Sequence, residues 1–384
     1  MKALLAVAAL VALAACASSN PIAVHRASPS PVASPSPVAS PSPVASPSDS
    51  KSPLPTIPTE EALISMRMTS LSVMWAATNT RVLRSADAGR HWTDVSPSPP
   101  IQWDAFFALD DDAAWVVAHT PLGIRGGSVG VMRTTDGGQS WRGAAAPRPG
   151  VGAGPITFAD RIHGWMFVGA GAAAGSEAIA IDRTTDGGAT WTVAATSGDP
   201  STGQTTSGIQ FSCDKGPLAF GSTTVGLMTQ TCATFEQSIY RTADGGLHWK
   251  LIALPALNGT FAGYYFAPIF LTASEAIVGG TGQIVVTHDG GLTWSVYKLP
   301  GPGSVDFESP TSGWQLNDSL SATSDGGRSW HVIASALPFK GGDMTLQYLG
   351  SGIGIAWGNR QATALRTDDG GRTWRSVAPG GLHV

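Results

Sequence analysis

Apolar and polar positions along this chain fall into short β-prone runs separated by one recurring polar box. Val82-Leu83-Arg84 and Ile284-Val285-Val286 precede such boxes, and Trp294-Ser295-Val296-Tyr297 follows one. The box reads Thr-x-Asp-Gly-Gly-x-x-Trp and occurs seven times, the first copy varied to Ser85-Ala86-Asp87-Ala88-Gly89. Its aspartates are Asp87, Asp136, Asp186, Asp244, Asp289, Asp325 and Asp369. Its tryptophans are Trp92, Trp141, Trp191, Trp249, Trp294, Trp330 and Trp374. Asp-Gly and Gly-Gly supply the positive φ of a tight hairpin, so each box predicts a turn between two strands. The Asp carboxylate and Ser/Thr hydroxyl are suited to bind turn amides. Upstream lies a second register, in which a large apolar residue is followed seven positions later by another. The pairs are Met68/Trp75, Phe158/Trp165, Phe220/Leu227, Phe270/Ile277, Phe307/Trp314 and Tyr348/Ile355, while Phe107/Trp115 has one residue more. Turn formers between the members predict a first hairpin, strands A and B, ahead of the boxed hairpin, strands C and D. Four antiparallel strands repeated seven times predict an all-β, seven-bladed β-propeller over residues 60–384. Each blade is expected to use four consecutive strands.

That topology separates two faces. The A–B turns and the boxes share one face, with nearly constant lengths. The B–C and D–A connections share the other, and all the length variation falls there. Variable loops on a rigid scaffold are where recognition usually resides. The boxes are therefore read as structural. The candidates for ligand contact are Trp103, His119, Arg125, Tyr264, Tyr265 and Arg360, with Glu236, Asn317, Asp318 and Lys340 around them. Tyr264-Tyr265 is the best aromatic platform for a sugar or peptide. Asp110-Asp111-Asp112, Arg161 and His163 fall on the constant face and read as solvated turns, so no metal site is expected.

The amino terminus changes the picture of where the protein works. Lys2 and the apolar stretch Ala3 to Leu13 read as a signal segment over residues 1–15, too short for a permanent membrane span. Leu13-Ala14-Ala15-Cys16 resembles the bacterial lipobox, which implies cleavage before Cys16 and its lipidation. Acyl chains add about 0.8 kcal/mol per buried methylene, so a multiply acylated Cys16 would anchor firmly to a membrane. Residues 16–59 then form a tether in which Pro-Ser-Pro-Val-Ala-Ser runs three times. Proline favours extended polyproline II there. At ~3.1 Å per residue, such a stretch reaches up to roughly 90 Å. An exported chain with two cysteines left, Cys213 and Cys232, predicts a disulfide. A formal net charge of −4 and no basic stripe argue against nucleic acid as a partner.

The box repeats are identified as bacterial-neuraminidase-repeat, or Asp-box, sequences. With Phe…Gly-Trp in nearly every unit, residues 60–378 most resemble the photosystem II stability/assembly factor family and its bacterial relatives. That resemblance implies help in assembling or stabilising a membrane complex. The anchor, the tether and the lack of a recognisable reactive constellation lead us to expect a non-catalytic, monomeric module, without a cofactor, that binds a protein or a glycan. The box also occurs in sialidases, sortilin-type receptors and xyloglucanases, so a glycoside hydrolase is the alternative. A sialidase needs an arginine triad, a Tyr–Glu nucleophile and an Asp acid/base, and the early Arg-Ile-Pro signature is missing here. A retaining or inverting hydrolase needs two carboxylates across a cleft, and Glu236 with Asp306 is the pairing to test.

Overall fold

The computed structural model describes residues 63–98, 102–119, 128–173, 176–198, 205–232, 238–255, 265–335, 337, 344–358 and 363–380. Every regular element among them is a β-strand. Twenty-eight strands form seven antiparallel sheets, each built from four consecutive strands paired in chain order, A to D. The chain is thus a seven-bladed β-propeller, and among the described residues no strand is exchanged between its ends.

The A strands are Leu63–Met68, Ala105–Ala108, Gly152–Phe158, Asp214–Phe220, Ile269–Phe270, Ser304–Phe307 and Met344–Gly350. Six of the seven successive pairs of A strands touch, so these strands stand innermost around the axis. Their inner edges carry unpaired backbone, which is where proline is tolerated. Pro155 and Pro217 sit in two of them, each where the A–B register slips. B strands are buried on both faces and read as nearly continuous apolar runs, such as Met74–Thr78. D strands are short and solvated, as at Thr93–Asp94.

The core is a circle of interblade contacts built from the two apolar markers. Trp115, Trp165 and Trp314 on B strands stack on Phe158, Phe220 and Tyr348 of the next blade's A strand. Their ring centroids are 3.6, 3.5 and 3.8 Å apart. Box tryptophans meet the same A-strand rings edge-on, Trp191 on Phe158 at 6.1 Å and Trp249 on Phe220 at 5.9 Å. The B-strand indoles also bond across the gap. Trp115 Nε1 donates to Gly187 O at 2.9 Å and Trp165 Nε1 to Gly245 O at 2.8 Å. Box and A–B marker therefore form one device, which joins each blade to the next.

Blade 2 departs from the pattern for the reason its spacing hinted at. Phe107 pairs directly with Trp115, so Ala108 takes the place held elsewhere by an aromatic or, in blade 1, by Met68. Trp75 consequently has no ring to stack on. It tilts against Phe106 at 6.2 Å and donates to Asp110 O at 3.1 Å. In the last blade the A–B connection tightens to Ser351-Gly352, both at positive φ.

The circle closes through side chains. Gln347 in the last A strand accepts from Met68 N–H at 2.8 Å and donates to Met68 O at 3.0 Å. Trp92 Nε1 donates to Val377 O at 3.0 Å, and Arg375 donates to Ala88 O at 2.9 Å. Leu63, Met66 and Met68 pack with Ile355, Trp357 and Val377 behind these bonds.

Candidate functional site

Seven backbone bonds fix the two constant turns of every blade against each other. Ala88, Gly137, Gly187, Gly245, Gly290, Gly326 and Gly370 donate their N–H to Ser72, Asp112, Ile162, Thr224, Ser274, Thr311 and Gly352. Within a box, Thr134 Oγ1 donates to Asp136 Oδ1 at 2.8 Å and accepts from Gly138 N–H at 2.9 Å. Asp136 Oδ1 also accepts from Ser140 N–H at 2.9 Å, and Oδ2 accepts the Ser140 hydroxyl. Both oxygens are engaged within the turn. At Asp87 and Asp244 the imidazoles of His91 and His248 replace that hydroxyl. The Asp110 carboxylate is also occupied, by Arg161 Nε at 2.7 Å and the amides of Asp112 and Ala113. His163 is paired with Asp160 at 2.8 Å.

Hydroxyl donors from Ser140, Ser329 and Thr373, backed by turn amides, hold the carboxyls of Asp136, Asp325 and Asp369 down to about 2. A lowered acid contributes stability above its ordinary pKa of about 4 and loses it as pH falls through the folded value. Two buried acids act in the opposite sense. Burial pushes Asp182 up to about 6 and Asp306 up to about 7. Their folded forms hold a proton that the unfolded chain releases, so they weaken the fold as pH rises from about 4 to 7. Melting temperature should therefore fall steeply between pH 4 and 2 and sag mildly between pH 4 and 7. A pH series of thermal melts reads both limbs, and a flat profile below pH 4 would contradict the first.

On the opposite face the structure redistributes the sequence candidates. Trp103 is only 3% exposed and packs between blades 1 and 2 with Trp75 and Val116. Tyr265 is buried too; its hydroxyl accepts from Gln283 at 2.9 Å. Desolvation raises its phenol to about 12. Neither presents a ring to solvent, because each packs into the adjacent core. Asn317 caps its turn by accepting from Ser319 N–H at 2.7 Å, leaving Asp318 exposed. His119 ends a B strand, paired with Val129. Arg125, Tyr264, Arg360, Glu236, Lys340 and Cys16 lie outside the described residues.

Cys213 and Cys232 form a disulfide across strands A and B of blade 4, just beyond the paired residues Asp214 and Thr231. It ties the arriving D–A connection to the departing B–C connection. Beside it lies an arrangement that sequence reading missed. Lys215 is 8% exposed, and its ammonium donates to Ser212 O at 2.7 Å, Cys213 O at 2.8 Å, Phe211 O at 3.1 Å and Glu177 O at 3.3 Å. Glu177 Oε2 accepts from Lys215 N–H at 2.8 Å. Burial pushes the ammonium down to about 8. Nothing in the sequence signals a lysine folded back onto its own loop.

The axis carries a second unanticipated group. The A-strand residues directly opposite the B-strand markers are Arg67, Phe107, Thr157, Ala219, Ile269, Asp306 and Gln347. All but Thr157 retain partial exposure. Asp306 is not half of an open carboxylate pair. Its Oδ2 accepts from Tyr348 N–H of the next blade at 2.6 Å. The Arg67 guanidinium lies over the Phe107 ring, 4.8 Å from its centroid. Comparing the seven A strands one residue ahead of the apolar marker would have exposed this uneven ring.

No protein-family model and no curated protein matches the chain. Solved structures do. A structure of YCF48 bound to D1 peptide aligns with a TM-score of 0.53 at 16% identity, over 79% of this chain and 93% of its own. YCF48 from Cyanidioschyzon merolae aligns with a TM-score of 0.50 at 19% identity, over 80% and 94%. A GH74 enzyme from Niastella koreensis aligns at 0.36 and 14% identity, and this chain spans 49% of it. What the chain shares with YCF48 at these identities is the propeller fold.

Proposed function

We propose that this protein is a lipid-anchored, extracytoplasmic binding or assembly module, monomeric, whose propeller recognises a protein or glycan through the face of the B–C and D–A connections. One contrast carries the reading. On the box face, every blade uses its polar groups to bond A–B turn to box, whereas the opposite face holds all the length variation and the Cys213–Cys232 bridge. A disulfide and a buried lysine clamp that organise loops preorganise a binding surface at lower entropic cost. The likeness to a propeller bound to a peptide favours a protein partner over a glycan. Hydrolysis would need a second accessible carboxylate facing Asp306, and Asp306 itself is engaged with backbone.

Site-specific photocrosslinking in intact cells tests the choice of face. A photoreactive residue at exposed Asp318 should give a discrete adduct, and one at Leu292, 60% exposed on the box face, should not. Adducts from Leu292 alone would refute the assignment. Fractionating the same cells tests the anchor, since Cys16→Ser should move the protein from the membrane pellet to the soluble fraction.

A further inference from the structure

Arg67 meets Phe107 on one side and feels Asp306 from across the ring of A strands. It lies over Phe107 of blade 2 and interacts electrostatically with Asp306 of blade 6. Its guanidinium therefore projects into the central channel. The side chain is half-buried, and burial lowers its affinity for the proton. Yet among the described residues no carboxylate, carbonyl or hydroxyl accepts a hydrogen bond from it. The obvious partner is already engaged, since Asp306 accepts from the Tyr348 and Phe307 amides. Gln347 is likewise committed, at both ends, to Met68.

A guanidinium whose donors no protein group accepts is open to a ligand, and an acceptor with two coplanar oxygens matches its planar fork best. We propose that the channel is a carboxylate-binding site, in which Arg67 takes both oxygens and the Phe107 and Ile269 side chains receive the apolar group that carries them. The charge balance selects a monoanion. One arginine supplies a single positive charge, which neutralises a carboxylate but not a phosphate dianion, and the acids Asp306 and Glu308 stand nearby. Arg67 stands one residue before the end of its strand, so the site opens toward the box face. It is separate from the loop face assigned above and does not depend on it.

Two sources share this chemistry, a free short-chain acid and the terminal carboxylate of a protein segment. The full-length protein is titrated by calorimetry with sodium butyrate, with a blocked tripeptide ending in leucine as the free acid, and with the same peptide as its amide. Saturable binding of butyrate supports a free acid. Binding of the peptide acid, without the amide, supports a chain terminus. Arg67→Gln should weaken either by about tenfold to a hundredfold, as expected for losing a charge-assisted hydrogen bond. The Arg67 Nε–H resonance of the unmutated protein should shift on addition of the ligand, a readout that does not require the variant to fold. The proposal is overturned if neither acid binds saturably, if the amide binds as well as the acid, or if binding leaves that resonance unmoved.

Discussion

Trp165→Ala should lower stability by about 4 kcal/mol. Truncating a fully buried tryptophan typically costs about 3–5 kcal/mol in lost burial and cavity formation. Trp165 is fully buried, stacked 3.5 Å from Phe220, and bonded through Nε1 to Gly245 O of the following blade. The change therefore opens a cavity between two sheets and leaves a box carbonyl without its donor. A melting-temperature drop of roughly 5–10 °C is expected for a chain of this size. Trp165→Leu should recover more than half of the loss. Leu227 fills the same place in blade 4 and is fully buried there. A Trp165→Ala protein within 1 kcal/mol of the parent, by denaturant titration, would contradict the interblade account of stability.

Reduction of the Cys213–Cys232 bridge should cost about 3 kcal/mol, the loop-entropy value for a closed loop of this size. The two cysteines are 19 residues apart. Local effects should exceed the global one. Cys213 has φ 66°, a conformation that disfavours non-glycine residues by about 1–2 kcal/mol, and its carbonyl is one of four that hold Lys215. Once the bridge opens, that carbonyl can relax and the ammonium loses part of its cage. Amide exchange should quicken across residues 207–215 while the remaining blades keep their protection. A reduced and alkylated protein with unchanged melting and exchange would rule this out.

The repeat made the architecture legible because the box is a local device. Asp289 needs only Thr287, Leu292 and Thr293 to build its turn, all within a few residues. The A–B marker was legible for a similar reason, since its period of seven measures one hairpin. The binding candidates fared differently. Trp103 and Tyr265 read from the sequence as loop aromatics, yet both are buried, because burial depends on the neighbouring core, which period and composition do not encode. Arg67, Asp306 and Gln347 sit at unremarkable strand positions. Their meaning comes from the meeting of A strands from separate blades around one axis.

The bonds between Gln347 and Met68 join residues 279 positions apart, so the first and last blades meet only after all seven have been made. Until then Leu63, Met66 and Met68 have no cover. Closing so long a loop is entropically the most demanding step in the chain, and it comes last. The nascent protein therefore carries an oily flank from its first blade onward. A chaperone, or a neighbouring chain, has that whole interval in which to seize it.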